Sequence, residues 1–253
     1  MHDGAPQFSV RMAKTDEDLR AAQALRYEVF VRELGGCGAL VDHEAGLERD
    51  QFDPYFDHML VSDDTSGEVV GVYRLLRGDQ AERLGRFYSE DEYDLAPLRA
   101  SGRKLLELGR SCLHAQYRGG MAMFHLWNGL AAYVAEHEIE VLFGVASFHG
   151  TDAMDLAQPL SMLHANHLAP EELRVRSKAY QPMNVLPEDQ IDRRKAMLET
   201  PALIKAYLRL GGFVGDGAYV DHDFNTTDVC LILDTARMNA RQKSIYTRGT
   251  ASA

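Results

Sequence analysis

A glutamate and an arginine, Glu107 and Arg110, stand three residues apart in an apolar stretch that begins at Lys104. A glycine-containing turn at 116–120 follows this stretch, and an amphipathic segment starts near Met121. A strand, a glycine turn and a helix N-terminus in this order present backbone N–H groups that can bind a phosphate. A carboxylate just before the turn could take a proton from an amine. Together these features predict transfer of an acyl group from a phosphopantetheine thioester.

The spacing of Glu107 and Arg110 leaves two interpretations open. An ideal strand points residues three apart to opposite faces, whereas a bulge at Gly109 would bring both to one side. In the functional interpretation Glu107 is a base and Arg110 is the partner that orients it. In the structural interpretation the two residues form a buried ion pair, because charges in an apolar strand need partners.

An acidic segment from Asp42 to Asp57 is a second candidate region, with six carboxylates against a single cation, Arg49. Crowded carboxylates repel one another and raise some of their pKa values, and a cationic substrate would relieve this repulsion. Equally open alternatives are a solvated acidic loop and a calcium site, although the spacing does not match an EF-hand loop. Arg26, Phe30 and Glu33 share one face of a predicted helix, which by itself is typical of an ordinary amphipathic helix.

Composition excludes several classes of protein. The net charge of −11 argues against nucleic-acid binding. The three cysteines are far apart and odd in number, so we expect no disulfide framework and a reducing compartment. Ten histidines are present, but no H-E-x-x-H motif predicts a metal site. His149, at the end of a predicted strand, occupies a position suited to substrate binding.

Neither targeting nor membrane-spanning segments are expected. The N-terminus lacks the basic and apolar regions of a signal peptide. No apolar run approaches the roughly 20 residues that a spanning helix needs. The sequence therefore predicts a cytoplasmic protein whose contact with the inner membrane, if any, is peripheral.

The elements that position these residues form a mixed pattern of strands and helices. A helix capped by Thr15 follows a first strand, and another is predicted from Thr200-Pro201, with Thr as the cap and Pro at the first helical position. The other predicted segments are strands at 8–14, 58–62, 69–76, 104–113, 141–147, 213–221 and 229–233, and helices at 121–134 and 152–167. This order predicts a mixed α/β fold on a mostly antiparallel sheet. We expect one domain over 1–236, with a helical and irregular insertion at 168–212, and a basic tail over 237–253.

Several separated residues match the pattern of a known family. They are Arg26 and Phe30, Asp50-x-x-Asp53, Arg74 in Y-R-L-L, Phe87, and Glu107-x-x-Arg110. On these residues the chain resembles the GNAT-fold acyltransferases that use acyl carrier protein. Two branches are similar: the acyl-homoserine lactone synthases and the ornithine N-acyltransferases. Residues 147–152 and 201–229 resemble the ornithine branch, and Gly35-Gly36 stands where the lactone synthases carry a Trp after the first helix.

This resemblance implies a GNAT-like fold with helices on both faces of the central sheet, and a reaction. A 3-hydroxyacyl group would pass from acyl carrier protein to the α-amino group of L-ornithine by direct attack of the amine, forming lyso-ornithine lipid in the first step of ornithine-lipid synthesis. The phosphopantetheine thioester would be a co-substrate, so no resident cofactor is expected. The alternatives are an acyl-homoserine lactone synthase or another N-acyl amino acid synthase, and a non-catalytic acyl-binding or membrane-surface module.

The resemblance also implies roles for individual residues. Glu107 would be the catalytic base, held by Arg110, and Asp50 and Asp53 would bind the substrate cation or order the loop with Arg26. The other substrate-binding residues would be Arg26, Phe30, Arg74, Phe87 and His149. The residues expected to bind phosphopantetheine and the acidic carrier protein are Gln116, Arg118, Gly119, Gly120, Arg103 and Lys104. Further docking candidates are Arg174, Arg176 and Lys178. All six cations in these two sets could equally be scattered surface charges.

Overall fold

Ten strands and seven α-helices lie in the described part of the chain, which comprises residues 7–38 and 40–242 of this computed structural model. The strands are β1 (Phe8–Met12), β2 (Asp57–Asp63), β3 (Val69–Arg77), β4 (Tyr93–Asp94), β5 (Leu105–Leu113), β6 (Val141–His149), β7 (Arg176–Ser177), β8 (Phe213–Val214), β9 (Tyr219–Asp221) and β10 (Thr226–Asp234). The α-helices are α1 (Asp16–Arg26), α2 (Gly78–Leu84), α3 (Ala96–Ala100), α4 (Met121–Glu136), α5 (Ala157–His167), α6 (Arg193–Glu199) and α7 (Ala202–Arg209).

The described residues form two compact units. The first unit contains residues 7–84 and 108–138, and the second contains Gly85–Glu107 and residues 139–242. Strand β5 contributes residues 105–107 to the second unit and its remainder to the first. The expectation of one domain over 1–236 stays a prediction, and most of the predicted basic tail lies outside the described residues.

The first unit contains antiparallel strands and the helices α1, α2 and α4. Strand β2 pairs with β1 on one side and β3 on the other, and α1 packs on β3 while α4 packs on β1. Helix α1 begins at the predicted cap: the Thr15 hydroxyl accepts a hydrogen bond from the Asp18 N–H, and the Asp18 carboxylate accepts from the Thr15 N–H. Ala22 and Leu25 of this helix join the buried core with apolar side chains of β2 and β3.

The second unit combines parallel and antiparallel pairing. Residues 105–107 of β5 run parallel to the start of β6, whereas β10 pairs antiparallel with β6, β8 and β9. The short strands β4 and β7 form a separate antiparallel pair. Both units thus confirm the predicted mixed α/β fold with mostly antiparallel strand pairing. No helix within 7–38 and 40–242 has both the length and the apolar character needed to cross a bilayer.

Two local predictions are wrong. Thr200 does not cap α7: its hydroxyl donates to the Ala196 carbonyl at 2.8 Å, at the C-terminal end of α6. Pro201 precedes α7 with extended backbone, so the proline lies outside the helix. The predicted strand 213–221 is divided into β8 and β9, because Gly217 adopts a left-handed φ of 78° between them.

Candidate active site

Arg26 lies at the centre of a buried network of charges in the first unit. It stands where α1 passes directly into a π-helical segment, Tyr27–Glu33, and its side chain is fully buried. Its Nε donates to the Glu48 carboxylate, and its Nη1 donates to Asp53 Oδ1 at 2.7 Å. Its Nη2 donates to the Glu48 backbone carbonyl at 2.9 Å. A helix end is thereby joined to the acidic segment.

Two further arginines complete this network. Arg74 of β3 donates from Nη1 to Asp50 and, at 3.1 Å, to Asp53. Arg110 of β5 donates from Nε to Glu48 at 3.2 Å, and its Nη2 lies 4.0 Å from the Asp50 carboxylate. Three guanidinium groups therefore face three carboxylates, and their formal charges balance.

This balance corrects the electrostatic expectation for the acidic segment. Burial acts to raise the pKa of Asp53, but the charges of Arg26 and Arg74 and the hydrogen bonds from Arg26 and Gln23 outweigh it, so that the pKa falls to about 2. Burial likewise opposes ionisation of Glu48, and the charges of Arg110, Arg26 and Arg74 lower its pKa overall. Attraction to the arginines of α1, β3 and β5 outweighs the repulsion among these carboxylates, because the arginine side chains contact the acidic segment.

The network is open to solvent at one edge. Asp50 and Arg110 have side chains that are 18% and 17% exposed, whereas the other four charged groups are almost completely buried. Oδ1 of Asp50 accepts the backbone N–H groups of Phe52 at 2.8 Å and Asp53 at 3.0 Å, which fixes its orientation. The Arg110 guanidinium lies 5.7 Å from the centre of the Phe30 ring. The edge thus presents a carboxylate and a guanidinium side by side.

Strand β5 is irregular at the point where Arg110 leaves it. Arg110 has a φ of 49°, in the left-handed region that non-glycine residues rarely adopt. A bulge at Gly109 was one of the two alternatives left open by the sequence, and the unusual backbone occurs one residue later, at Arg110. Such a conformation costs about 1–3 kcal/mol. The surrounding contacts of Arg110 with Glu48 and Phe30 hold it in place.

Sequence reasoning missed three members of this region. Glu48 lay in the acidic segment without an assigned role, Gln23 donates from Nε2 to Asp53 at 2.9 Å, and His58 bonds through Nε2 to the Asp53 carbonyl at 3.1 Å. Burial lowers the pKa of His58, which favours its neutral form. The spacing of Gln23 and Arg26, three apart on one helix face, was a usable signal.

The buried Cys112 thiol has its pKa raised to about 12 by burial, so it is unsuited to act as a nucleophile.

Glu107 is buried in the second unit, where it binds a tight turn. Its Oε2 accepts the Tyr88 N–H at 2.7 Å, and its Oε1 accepts both the N–H of Ser89, at 2.6 Å, and the Ser89 hydroxyl. These groups begin the 3₁₀ turn Tyr88–Asp91, so the carboxylate caps that turn. Three converging donors leave this carboxylate in a strongly fixed position.

Phe87 is held beside this turn by aromatic and cationic contacts. Its ring meets the Phe143 ring edge-on, with the ring centres 5.0 Å apart, and the Arg99 guanidinium lies 4.9 Å from the centre of the Phe87 ring. Phe143 is also the residue of β6 that pairs with Glu107 of β5. Phe87 and Glu107, two residues of the family pattern, therefore belong to one packed corner of the second unit.

The predicted phosphate-binding turn leads into α4 as expected. Gly119 has a left-handed φ of 75°, and Gly120 is the N-cap of α4 with no side-chain cap. Gln116, Gly119 and Gly120 are exposed. The first backbone N–H groups of a helix lack partners within the helix and carry its positive end. This terminus is suited to binding a phosphate.

The cations predicted to contact a carrier protein are largely engaged within the chain. Arg118 forms a two-pronged ion pair with Glu33, including a contact of 2.6 Å, and Arg103 forms one with Asp234 at 2.6 and 2.8 Å. Lys104 donates its backbone N–H to Glu140, and His149 is exposed at the end of β6. The more distant candidates are also bonded: Arg174 to the Ala169 carbonyl, Arg176 to Asp216, and Lys178 to the Glu90 carbonyl.

Three acidic side chains of the second unit lie close enough to one another to bind a cation. Carboxylate oxygens of Glu92, Asp221 and Asp228 all lie within 4.8 Å of one another. Burial and nearby negative charge raise the pKa of Tyr93, whose hydroxyl donates to the Gly217 and Asp228 carbonyls. The three acids come from separate elements, so no local sequence spacing could have revealed this group.

Comparisons with known proteins agree with the fold and the family that the sequence pattern indicated. The model of the acetyltransferase (GNAT) domain family matches residues 25–128. The chain is 58% identical to the L-ornithine N(alpha)-acyltransferase of Rhodobacter capsulatus, over 95% of each chain. It is 42% identical to the protein of the same name from Brucella abortus, over 94% of this chain and 88% of the relative.

Solved structures show the same fold at low sequence identity. FeeM, an N-acyl amino acid synthase from uncultured soil microbes, aligns with a TM-score of 0.54 at 13% identity, over 97% of this chain and 98% of its own. The acyl-homoserine lactone synthase LasI aligns with a TM-score of 0.52 at 17% identity, over 97% of each chain. The chain therefore belongs to the L-ornithine N(alpha)-acyltransferase family and is an N-acyltransferase with the GNAT fold.

Proposed function

We propose that this enzyme transfers a 3-hydroxyacyl group from acyl carrier protein to the α-amino group of L-ornithine, which forms lyso-ornithine lipid. The curated relatives named for ornithine acylation support the acceptor. The geometric observation that carries the proposal is the partly exposed Asp50–Arg110 edge of an otherwise buried, balanced network. A carboxylate beside a guanidinium is complementary to the ammonium and carboxylate groups of an amino acid.

In this proposal Asp50 and Arg110 bind the acceptor. The guanidinium of Arg110 receives the substrate carboxylate, and Asp50, already oriented by two backbone N–H groups, receives an ammonium. We assign Asp53 to the loop rather than to the substrate cation. It is buried and accepts hydrogen bonds from Arg26, Arg74 and Gln23. A ligand ammonium would have to displace those donors.

In this proposal the acyl donor binds at the N-terminus of α4. A phosphopantetheine phosphate would bind the exposed N–H groups at Gly119, Gly120 and the first turn of the helix. No resident cofactor takes part in this proposal, since the phosphopantetheine thioester is a co-substrate. Acyl transfer forms the amide bond, breaks the thioester carbon–sulphur bond and leaves the carrier thiol.

Proton removal from the acceptor requires a group near the amine, because an ammonium is not a nucleophile. The three donors on Glu107 support a positioning role for that residue, in which it holds the Phe87–Ser89 corner. Asp50 is the carboxylate of the network that reaches solvent beside Arg110, and we assign it, directly or through a water, to receive the proton. This assignment differs from the base expected from the sequence pattern.

The test is to incubate the purified protein with 3-hydroxyhexadecanoyl carrier protein and a panel of amines, and to identify the products by mass spectrometry. The panel contains ornithine, lysine, glycine and S-adenosylmethionine. We expect N-acyl-ornithine, with acylation at the α-amino group established by fragmentation. A lactone or a different acylamide would overturn the acceptor, and activity only with acyl-coenzyme A would overturn the carrier-protein donor. No product with any donor would favour a non-catalytic binding module.

A further inference from the structure

Helix α6 of the second unit exposes a combination of cations and apolar side chains. Its sequence is R-R-K-A-M-L-E, and Ala196 is its one buried residue. Leu198 is 72% exposed and Met197 is 36% exposed. Exposed apolar side chains rimmed by polar and charged residues are a feature of surfaces that contact proteins or membranes.

This helix is firmly anchored although it buries so little of itself. The Asp192 carboxylate caps its N-terminus by accepting two backbone N–H groups, at 2.9 and 3.0 Å, and the Asp192 N–H donates to Gln158 of α5 at 2.7 Å. At the other end Thr200 donates to the Ala196 carbonyl, and Lys205 donates to the Met197 carbonyl at 3.2 Å. The exposed side chains therefore project from a fixed helix, so little ordering is needed when they bind a partner.

The charge of α6 is opposite to that of the chain as a whole. Three cations and one acid lie on it, while the protein carries a net charge of −11. Lys195 lies 3.8 Å from Glu199, but among the described residues Arg193 and Arg194 have no carboxylate partner within ion-pair distance. Arg118 and Arg103, by contrast, are held by acids of their own units. A local basic surface on an acidic protein favours a negatively charged partner.

We propose that α6 docks the enzyme on the surface of a bilayer that contains anionic phospholipids. Arg193, Arg194 and Lys195 contact the lipid phosphates, and Leu198 and Met197 enter the boundary between headgroups and acyl chains. Interfacial helices combine basic residues and inserted apolar residues in this way. The helix is short, so binding is weak and reversible. An additional argument rests on the proposed function: a long-chain N-acyl amino acid is an amphiphile, and an enzyme at a bilayer can release it into lipid.

Flotation of the full-length protein with lipid vesicles tests this proposal without any substrate, so its failure is distinguishable from a failure of the acyltransferase proposal. Vesicles of phosphatidylcholine alone are compared with vesicles of phosphatidylcholine and phosphatidylglycerol in equal parts. We expect flotation with the anionic vesicles, and its loss at high salt. Each of Arg193→Gln, Arg194→Gln and Lys195→Gln should lower the partition coefficient by about fivefold. Leu198→Ser should lower it by about tenfold.

Matched variants on the first unit provide the controls. Arg20→Gln and Leu34→Ser also remove an exposed cation and an exposed leucine, and both should float like the unsubstituted protein. Glu199→Gln should bind several-fold more tightly, because it removes the one acid of the helix.

Two outcomes would overturn the proposal. The first is failure of the unsubstituted protein to float with anionic vesicles. The second is flotation that the α6 substitutions leave unchanged. A raised KM for the acyl carrier protein in the same variants would then identify α6 as a carrier-protein surface instead.

Discussion

Carboxylates are stabilised by different partners in the two units of this enzyme. In the first unit Glu48, Asp50 and Asp53 face three arginines. In the second unit Glu107 accepts two backbone N–H groups and a hydroxyl from one turn. Guanidinium groups extend in several directions and can be shared with a ligand at the solvent edge. Peptide N–H groups of a tight turn bind one carboxylate and fix one corner of the chain.

The charge network of the first unit is more accessible to a substrate than Glu107 of the second unit. The arginine network ends at Asp50 and Arg110, whose charged groups reach solvent and could accept a charged ligand without losing their internal contacts. Glu107 is buried, and a substrate amine would compete with the donors already bound to it. In our proposal a carboxylate therefore binds the ligand in the first unit, and another carboxylate positions a turn in the second unit.

The largest expected effect comes from removing the central cation of the network. Arg26→Met should lower the free energy of unfolding by about 3–5 kcal/mol, because Glu48 and Asp53 would stay buried without their main partner. Urea unfolding followed by fluorescence of Trp127, the single tryptophan of the chain, measures this in the first unit. Arg32→Met is the matched control, since Arg32 pairs with Glu28 on the exposed surface, and it should cost less than about 1 kcal/mol. Equal effects of the two substitutions would contradict the importance of burial.

The second prediction concerns the exposed edge of the same network. Asp50→Asn should raise the KM for ornithine by about tenfold to a hundredfold, because a charge-assisted contact is lost, and it should also lower kcat, because an amide cannot receive the proton that we assign to Asp50. The KM for the acyl carrier protein should remain unchanged. The amide oxygen of Asn can still accept the N–H groups of Phe52 and Asp53, so the loop should keep its fold. Steady-state kinetics with each substrate varied in turn measures both constants, and parallel increases in the two KM values would argue against acceptor binding at Asp50.

Part of this arrangement could be predicted from the sequence. The Thr15 cap and the strand, turn and helix at 104–127 depend on local spacing, and the structure confirms them. The family pattern correctly selected residues that the fold gathers in the first unit, including Arg26, Arg74 and Arg110. Local rules describe elements well, and a shared pattern compensates for contacts that are distant in sequence.

Other features could not be read from spacing. The sign of the pKa shifts at Glu48 and Asp53 depends on arginines that lie 21 to 62 residues away in the chain. The partners of Glu107 lie 18 and 19 residues before it. Helix α6 was missed because it buries a single alanine and so has no apolar stripe of helical period.

A third prediction uses pH to separate Asp53 from an ordinary surface acid. Its pKa falls from 3.8 to about 2 on folding, so its ionised form stabilises the folded state by about 2 kcal/mol above pH 3.8. This contribution is lost progressively as the pH falls from 3.8 through about 2. The stability difference between the unsubstituted enzyme and Asp53→Asn should therefore shrink over this window. A difference that is constant with pH would show that the contacts of Asp53 do not depend on its charge.

The smallest predicted effect distinguishes the two roles that remain for Glu107. Glu107→Gln keeps an oxygen that can accept from Ser89 but places an amide NH₂ near the N–H of Tyr88, where two donors meet. If Glu107 positions the turn, kcat should fall by about tenfold while the pH dependence of kcat/KM keeps its shape, since the group that titrates is elsewhere. If Glu107 is the base, the acidic limb of that profile should disappear along with most of the activity.

A second variant, Ser89→Ala, distinguishes the two roles of Glu107 further. It removes the Ser89 hydroxyl but no titrating group, so under the positioning role it should reproduce part of the loss seen in Glu107→Gln. Full activity in Ser89→Ala combined with a lost acidic limb in Glu107→Gln would restore Glu107 as the base and move Asp50 to binding alone.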